Sequence, residues 1–351
     1  MELSSFFTYP IIQAPMAGGT ANPALAAAVS NAGGLGFLAA GYKLPEEVHQ
    51  EIADMRKRTD KFFGVNLFVP GGRSVETKAV ESYAKRLEKT ARSLGVDVGE
   101  AKTDDDGWDE KLAVLIEERV AIVSFTFGCP SSNVIDRLKN CGIYVIVTVT
   151  TPEEAVTAYQ AGADALCLQG IEAGGHRSSF TNDRQGEDYS LLVLLRLVCH
   201  QIELPIIAAG GIMHGKDIAA LLTAGADAVQ LGTAFLRCPE SGASELHKQA
   251  LADNSFSETT VTRAFTGRRA RGLVNQFINE YSEFAPAAYP HVHYMTKNIR
   301  KAAGKSGNPQ LMALWAGQGH KLASDLPAEE VMALLLKQAL QAKETAHQKK
   351  I

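Results

Sequence analysis

Eight short, almost uninterrupted apolar runs recur along this 351-residue chain, at residues 10–15, 35–39, 62–68, 121–126, 144–149, 165–169, 205–209 and 228–231. A strand covered on both faces reads as a continuous hydrophobic run, so each run predicts a strand of a parallel sheet. Amphipathic segments lie between most of them. They open on recognisable helix starts at Asn22-Pro23, Pro45-Glu46-Glu47, Thr151-Pro152-Glu153-Glu154 and Gly215-Lys216-Asp217. Such alternation implies right-handed crossovers in an α/β fold, and a count of eight favours a closed (β/α)₈ TIM barrel over an open sheet. The phrases AGADALCLQG and AGADAVQLGT repeat the same helix end, turn and buried strand, an echo between barrel halves.

Two stretches break the rhythm. One, from Gly71 to about Gly107, is polar, has helical charge spacing and contains the acidic run TDDD; the other, from Arg237 to about Gly307, carries extra helical patterns. The expected organisation is a barrel of residues 1–70, 102–237 and 308–323, an insertion at 71–101, and a smaller, mainly helical second domain of residues 238–307 and 324–351. That domain caps the C-terminal mouth, where active sites of this architecture lie. Its last part, VMALLLKQALQAK, reads as one amphipathic helix with a solvated Lys-rich end.

Composition changes this picture little. Hydrophobic residues at 46%, charged residues at 21% and a net charge of -4 suit a globular chain and give no electrostatic basis for nucleic-acid binding. No apolar stretch approaches the roughly 20 residues of a bilayer span. The start MELSSFFTYPIIQAP lacks a basic, apolar leader, so a cytoplasmic protein is expected, with no membrane partner and no assignable oligomeric state. Five scattered cysteines read as reduced, mostly structural thiols. GGLGFLAAG lies within the second strand and its approaches, and reads as close backbone packing rather than a dinucleotide site. No metal is expected: HExxH is missing, and His291 and His293 of HVH would share a face only on a strand.

Three constellations remain. Gly210-Gly211 after the seventh run and Gly232-Thr233 after the eighth can present backbone N–H groups to one phosphate, in the order barrels use. In CLQGIEAGGHR, Gly174-Gly175 permit close approach of a flat ligand and Gln169 offers an amide to ring heteroatoms such as those of a flavin. His176 follows a flexible turn at a strand end, where a group titrating near neutrality can remove a proton or bond an anion. His49, His200 and His247 read as satisfied surface or core residues. Ala14 and Met16 at the first strand can line a ring face, and Asn66 at the third offers an amide.

The phrases IIQAPMAGG, NAGGLGFLAAGY, FGVNLF, GIEAGGHR, PIIAAGGI, ADAVQLGTAFL, TGRRARGLVN, YPHVHYMT and LWAGQG resemble, in order and along nearly the whole chain, class I of the nitronate monooxygenase family, formerly 2-nitropropane dioxygenases. The resemblance implies non-covalent FMN bound at Asn66, Gln169, Gly174, Gly211, Gln230, Leu231, Gly232 and Thr233, with His176 as the active-site histidine. The implied reaction oxidises alkyl nitronates such as propionate 3-nitronate with molecular oxygen to a carbonyl compound and nitrite, through flavin semiquinone. Tyr289, Tyr294 and Lys297 could bind the nitro group, or serve aromatic packing of the cap. Arg268, Arg269 and Arg271 read as a solvated or salt-bridged face. EAGGH and IIAAGGI also resemble flavin-dependent enoyl-acyl-carrier-protein reductases, and a related NADH:quinone reductase is a further alternative. A phosphosugar lyase or isomerase is a more remote one.

Overall fold

The computed structural model describes residues 2–71, 75–182 and 188–348. Residues 72–74 of the first expected insertion and the terminal lysines 349 and 350 lie outside the described residues. All eight predicted runs form strands. In chain order the strands are β1 Ile11–Gln13, β2 Gly36–Ala39, β3 Phe63–Phe68, β4 Ile122–Thr126, β5 Tyr144–Val149, β6 Ala165–Gln169, the two-residue β7 Gly175–His176, β8 Ile206–Ala209 and β9 Ala228–Leu231. Apart from β7 they run parallel in one sheet, ordered β1-β9-β8-β6-β5-β4-β3-β2. Its two edges meet where Leu35 donates to Ile11 at 3.0 Å and Gln13 donates to Leu35 at 2.9 Å, closing the expected (β/α)₈ barrel.

The period of two along each strand divides the core. Ile11, Leu38, Val65, Val123, Val145, Leu166, Ala208 and Val229 point out beneath the helices; Ile12, Phe37, Ile122, Ile146, Cys167, Ile207 and Ala228 point in. The N-terminal turn Leu3–Phe6 joins the inward cluster and plugs the barrel floor, its Phe6 ring 5.2 Å from Tyr144 and 5.3 Å from Phe62. At the other end the inward positions become Asn66, Ser124, Thr148, Gln169 and Gln230. A sealed apolar floor and a polar upper layer leave the C-terminal mouth as the place for chemistry.

The four predicted helix starts are observed. Asn22 and Thr151 accept N–H bonds from Leu25 at 2.9 Å and Glu154 at 3.2 Å, each followed by proline, and Asp217 bonds back to His214 at 2.9 Å.

The cap differs from expectation in four respects. Helix Thr77–Ser93, from the first insertion, shares one apolar core with the second segment through Tyr83, Leu87, Phe265, Phe277, Val292 and Ile299. The Tyr83 hydroxyl also donates to the Ala264 carbonyl at 2.7 Å. Helix Ala328–Gln348, expected in the cap, instead packs on the barrel: its stripe Ala328, Val331, Met332 and Leu335 enters the layer between strands and helices. Residues 308–323, expected in the barrel, place Leu311 in the cap core before crossing the mouth. Helices dominate the cap, yet β10 Thr259–Thr262 and β11 Ala270–Leu273 form with β7 a three-stranded antiparallel sheet that the sequence reading lacks. Among the described residues no helix is long and apolar enough to cross a membrane.

GGLGFLAAG is a packing device, as its sequence suggests. A Cβ on Gly36 would lie 2.0 Å from the Ala26 carbonyl oxygen, because helix Pro23–Asn31 rests directly on β2. Backbone stands against backbone there, so Gly36→Ala is expected to cost at least about 1–3 kcal/mol. Gly304, inside helix His291–Lys305, would place its Cβ 3.9 Å from the Met312 methyl, and Gly304→Ala should add roughly 0.5–1 kcal/mol. Denaturation midpoints of the two variants should therefore shift in opposite directions.

Candidate active site

Adjacent strands bring the two glycine turns together, since Ala209 of β8 pairs with Gln230 of β9. Gly210 and Gly211 adopt φ of 123° and 70°, a region that favours glycine. Among the described residues no hydrogen bond uses the backbone N–H of Gly211, Gly232 or Thr233 as donor. Three uncommitted donors at the ends of two neighbouring barrel strands fit a phosphate. Ala14, whose N–H donates to Leu231 at 2.9 Å, and Met16 border the second turn: a Cβ on Gly232 would lie 3.5 Å from the Ala14 Cβ and 3.6 Å from the Met16 sulfur.

Below them lies the polar upper layer. Asn66 Nδ2 donates to the Ser124 carbonyl at 3.1 Å and to the Ser124 and Thr126 hydroxyls at 2.9 and 3.0 Å. Among the described residues Gln230 Nε2 meets only the soft Cys167 sulfur, at 3.4 Å. Gln169, expected to address a ligand, is engaged elsewhere: Nε2 donates to the His176 carbonyl at 3.0 Å, while Oε1 accepts from Arg177 at 2.9 Å and from Ser178 N–H at 3.0 Å. It shapes the loop that carries His176. Gly174 likewise serves the chain itself, because a Cβ there would lie 2.5 Å from the Ala316-Gly317 backbone; Gly175, with φ of 76°, has open space beside it.

His176 does not sit on a flexible turn. Its residue pairs with Ala270 of β11, which fixes the backbone, and its half-buried ring lies among Trp315 at 5.4 Å, Phe127 at 5.7 Å and Tyr289 at 6.0 Å. Burial, then the positive charges of Arg268 and Arg300, push its pKa down to about 3, so the imidazole is neutral at ordinary pH. Arg268 is only 6% exposed, forms no ion pair among the described residues, and is held by the Arg177 and Ser179 carbonyls with its guanidinium 4.0 Å above the Phe127 ring. Its pKa is lowered to about 10 by burial. Of the three arginines read as a solvated face, only Arg269 behaves so, pairing with Asp188. Arg271 is buried and donates to the Ile171 carbonyl at 2.9 Å.

A second cation comes from helix His291–Lys305, where the HVH motif proves helical. Arg300 donates to the His293 carbonyl at 2.9 Å and to the Thr296 hydroxyl at 3.1 Å. His293 stacks on Tyr42 with centroids 4.3 Å apart, and the Tyr42 and Tyr289 hydroxyls lie 3.2 Å apart. Burial pushes Tyr42 up to about 12 and Tyr289 well above the ordinary phenol, so both remain hydrogen-bond donors. Tyr42 holds φ of 68° because Asp106, itself 2.8 Å from the buried Lys111 ammonium, accepts the Tyr42 N–H at 2.8 Å. Thus Tyr289 reaches the His176 cluster, whereas Tyr294 bonds to Asp104 and Lys297 is exposed. Sequence reasoning missed Tyr42, Phe127, Thr266, His293, Arg300 and Trp315 as site residues. Tyr42 and Phe127 follow β2 and β4 within three residues, which was a usable signal.

The strap 314–319 closes the arrangement. Gly317 N–H donates to the Thr233 hydroxyl at 3.0 Å and Gln318 N–H to the Glu172 carbonyl at 3.0 Å, tying the mouth loops after β6 and β9.

Comparison with known proteins supplies the family. The profile of the family described as nitronate monooxygenase matches residues 1–338. The "Probable nitronate monooxygenase" of Staphylococcus aureus (strain Newman) is 39% identical over 334 residues, covering 94% of each chain. A solved structure of nitroalkane oxidase from Streptomyces ansochromogenes is 50% identical, with TM-score 0.95 over 98% of this chain and 99% of that one. FabK from Thermotoga maritima is more distant, at 28% identity and TM-score 0.74 over 99% of this chain and 98% of that one. The barrel, its capped mouth and these matches together establish that the chain belongs to the nitronate monooxygenase family of oxidoreductases.

Proposed function

We propose that the protein binds FMN over the upper layer of the barrel and oxidises alkyl nitronates, propionate 3-nitronate among them, with molecular oxygen to a carbonyl compound and nitrite. The observation that carries this reading is the pair of guanidiniums, Arg268 and Arg300, set near His176 with no ion-pair partner among the described residues. A poorly solvated pocket with net positive charge favours an anion over its neutral parent. A nitronate is such an anion, with its charge on the two nitro oxygens.

The N–H groups of Gly211, Gly232 and Thr233 would hold the FMN phosphate, with Ala14, Met16, Asn66, Gly175 and Gln230 around the ring. FMN, when bound there, supplies the electron transfer from nitronate and the reaction with oxygen. This chain's residues do the rest. Arg268 and Arg300 attract the anion, and the paired hydroxyls of Tyr42 and Tyr289 keep one O–H free for a nitro oxygen. Phe127 and Trp315 exclude water. His176, neutral at working pH, can take the α-proton of an uncharged nitroalkane.

Purified protein loaded with FMN should consume oxygen and release nitrite with propionate 3-nitronate, and should not oxidise NADH with quinone or an enoyl thioester. Robust NADH turnover without nitrite would overturn the reading. In the same assay His176→Asn should lose about 100-fold or more of its kcat/KM on a neutral nitroalkane, the scale of a general base, and far less on the preformed nitronate.

The depressed pKa of His176 also sets a pH profile. Protonation, which abolishes the base, should begin only far below the ordinary imidazole range, so turnover of neutral nitroalkane should show no acid limb near pH 6.5. Arg268→Gln removes one of the lowering charges and should move that limb upward. A wild-type limb at about 6.5 would contradict the assignment.

A further inference from the structure

His176 Nε2 lies 2.9 Å from the Thr266 hydroxyl, which is part of a tight turn. The same hydroxyl lies 3.2 Å from the Arg268 carbonyl oxygen and accepts the Arg268 N–H at 3.3 Å. A hydroxyl has one proton, and a carbonyl can only accept. The proton therefore goes to the Arg268 carbonyl, whose residue is 6% exposed and for which no other donor is found among the described residues. With its proton spent and Thr266 itself 2% exposed, the oxygen can only accept from the imidazole. The reverse assignment, Thr266 donating to Nε2, would leave the Arg268 carbonyl buried and unpaired. No hydrogen bond among the described residues occupies His176 Nδ1.

We propose that Thr266 is a positioning residue that fixes His176 as the Nε2–H tautomer, so that Nδ1 carries the lone pair offered to substrate. One oxygen thus donates to the Arg268 backbone carbonyl and accepts from the imidazole, while the Arg268 guanidinium is held separately by the Arg177 and Ser179 carbonyls. Thr266 touches neither substrate nor cofactor. In the nitroalkane step the α-C–H bond breaks, its proton goes to Nδ1, and the electron pair stays on the substrate as nitronate. No oxidant is needed at this stage. The catalytic part rests on the function proposed above, whereas the tautomer does not.

The experiment is nitrogen-15 NMR of histidine-labelled, FMN-loaded protein at pH 7, with the His176 signals identified by their absence in His176→Asn. Wild type should show a protonated Nε2 and an unprotonated, pyridine-like Nδ1. Thr266→Val should mix the tautomers, and Thr266→Ser should keep the wild-type pattern. In kinetics, Thr266→Val should lose on the order of 10- to 100-fold in kcat/KM with nitroethane, as orienting partners of functional histidines do, while changing little with ethyl nitronate. Thr266→Ser should restore nitroethane turnover. A wild-type spectrum with protonated Nδ1 would overturn the proposal, and that spectrum decides even where the valine variant does not fold. Equal losses on nitroethane and nitronate in a folded, flavin-loaded Thr266→Val would also overturn it. Absence of any nitronate oxidation by wild type, with the tautomer as stated, would refute the proposed function and leave the tautomer assignment standing.

Discussion

A guanidinium buried with no carboxylate paired to it among the described residues is the constraint around which this site is arranged. Removing a cation from water costs several kcal/mol even after relaxation. Arg268 recovers part of that through charged hydrogen bonds to the Arg177 and Ser179 carbonyls, of about 1.5–3 kcal/mol each, and through the face of Phe127. What is not recovered remains as attraction for an anion. The same charge, with that of Arg300, keeps the neighbouring imidazole neutral. In the proposed function, anion recognition and the state of the base therefore have one electrostatic source.

The fold supplies the rigidity such a device needs. The Leu3–Phe6 plug and the apolar inward residues seal the lower barrel, so polar inward positions occur only near the mouth. Above it, the antiparallel pairing of His176 with Ala270 places the histidine and Arg268 on one small sheet and its adjoining turn. The Asp106–Lys111 pair does similar work across the mouth, holding Tyr42 in a left-handed conformation beneath Tyr289. Tyr42 and Phe127, both with positive φ, lie in the site, in keeping with the concentration of backbone strain where function requires fixed geometry.

The barrel was legible in the sequence because burial on both faces leaves a strong signal: each of the eight runs became a strand, and the asparagine and threonine caps appeared where proline marks a helix start. His176 and the paired glycine turns were legible because strand ends in a barrel all reach one mouth. The cap was less so. β7 is two residues long, and Ala270–Leu273 contains glycine and arginine, so neither carries a pattern of β propensity. The bonds of Gln169 within the loop 170–178 and the packing of Gly174 against the strap 314–319 were not legible, since sequence cannot show which loops meet. Tyr294 was favoured over His293 because HVHY does not reveal which side of a helix meets the barrel. Arg268 looked like surface in a run of arginines, and only the folded chain shows that Arg268 and Arg271 are buried while Arg269 pairs with Asp188.

Nitrite, a small planar anion with two oxygens on one nitrogen, can probe the proposed anion site beside Arg268 without turnover. Titrated into FMN-loaded protein and followed by the flavin spectrum, it should bind wild type and bind Arg268→Gln at least about tenfold more weakly, a difference of roughly 1.4 kcal/mol. Equal affinity in the two proteins, both folded and fully loaded with FMN, would contradict the assignment of Arg268 as the source of anion recognition.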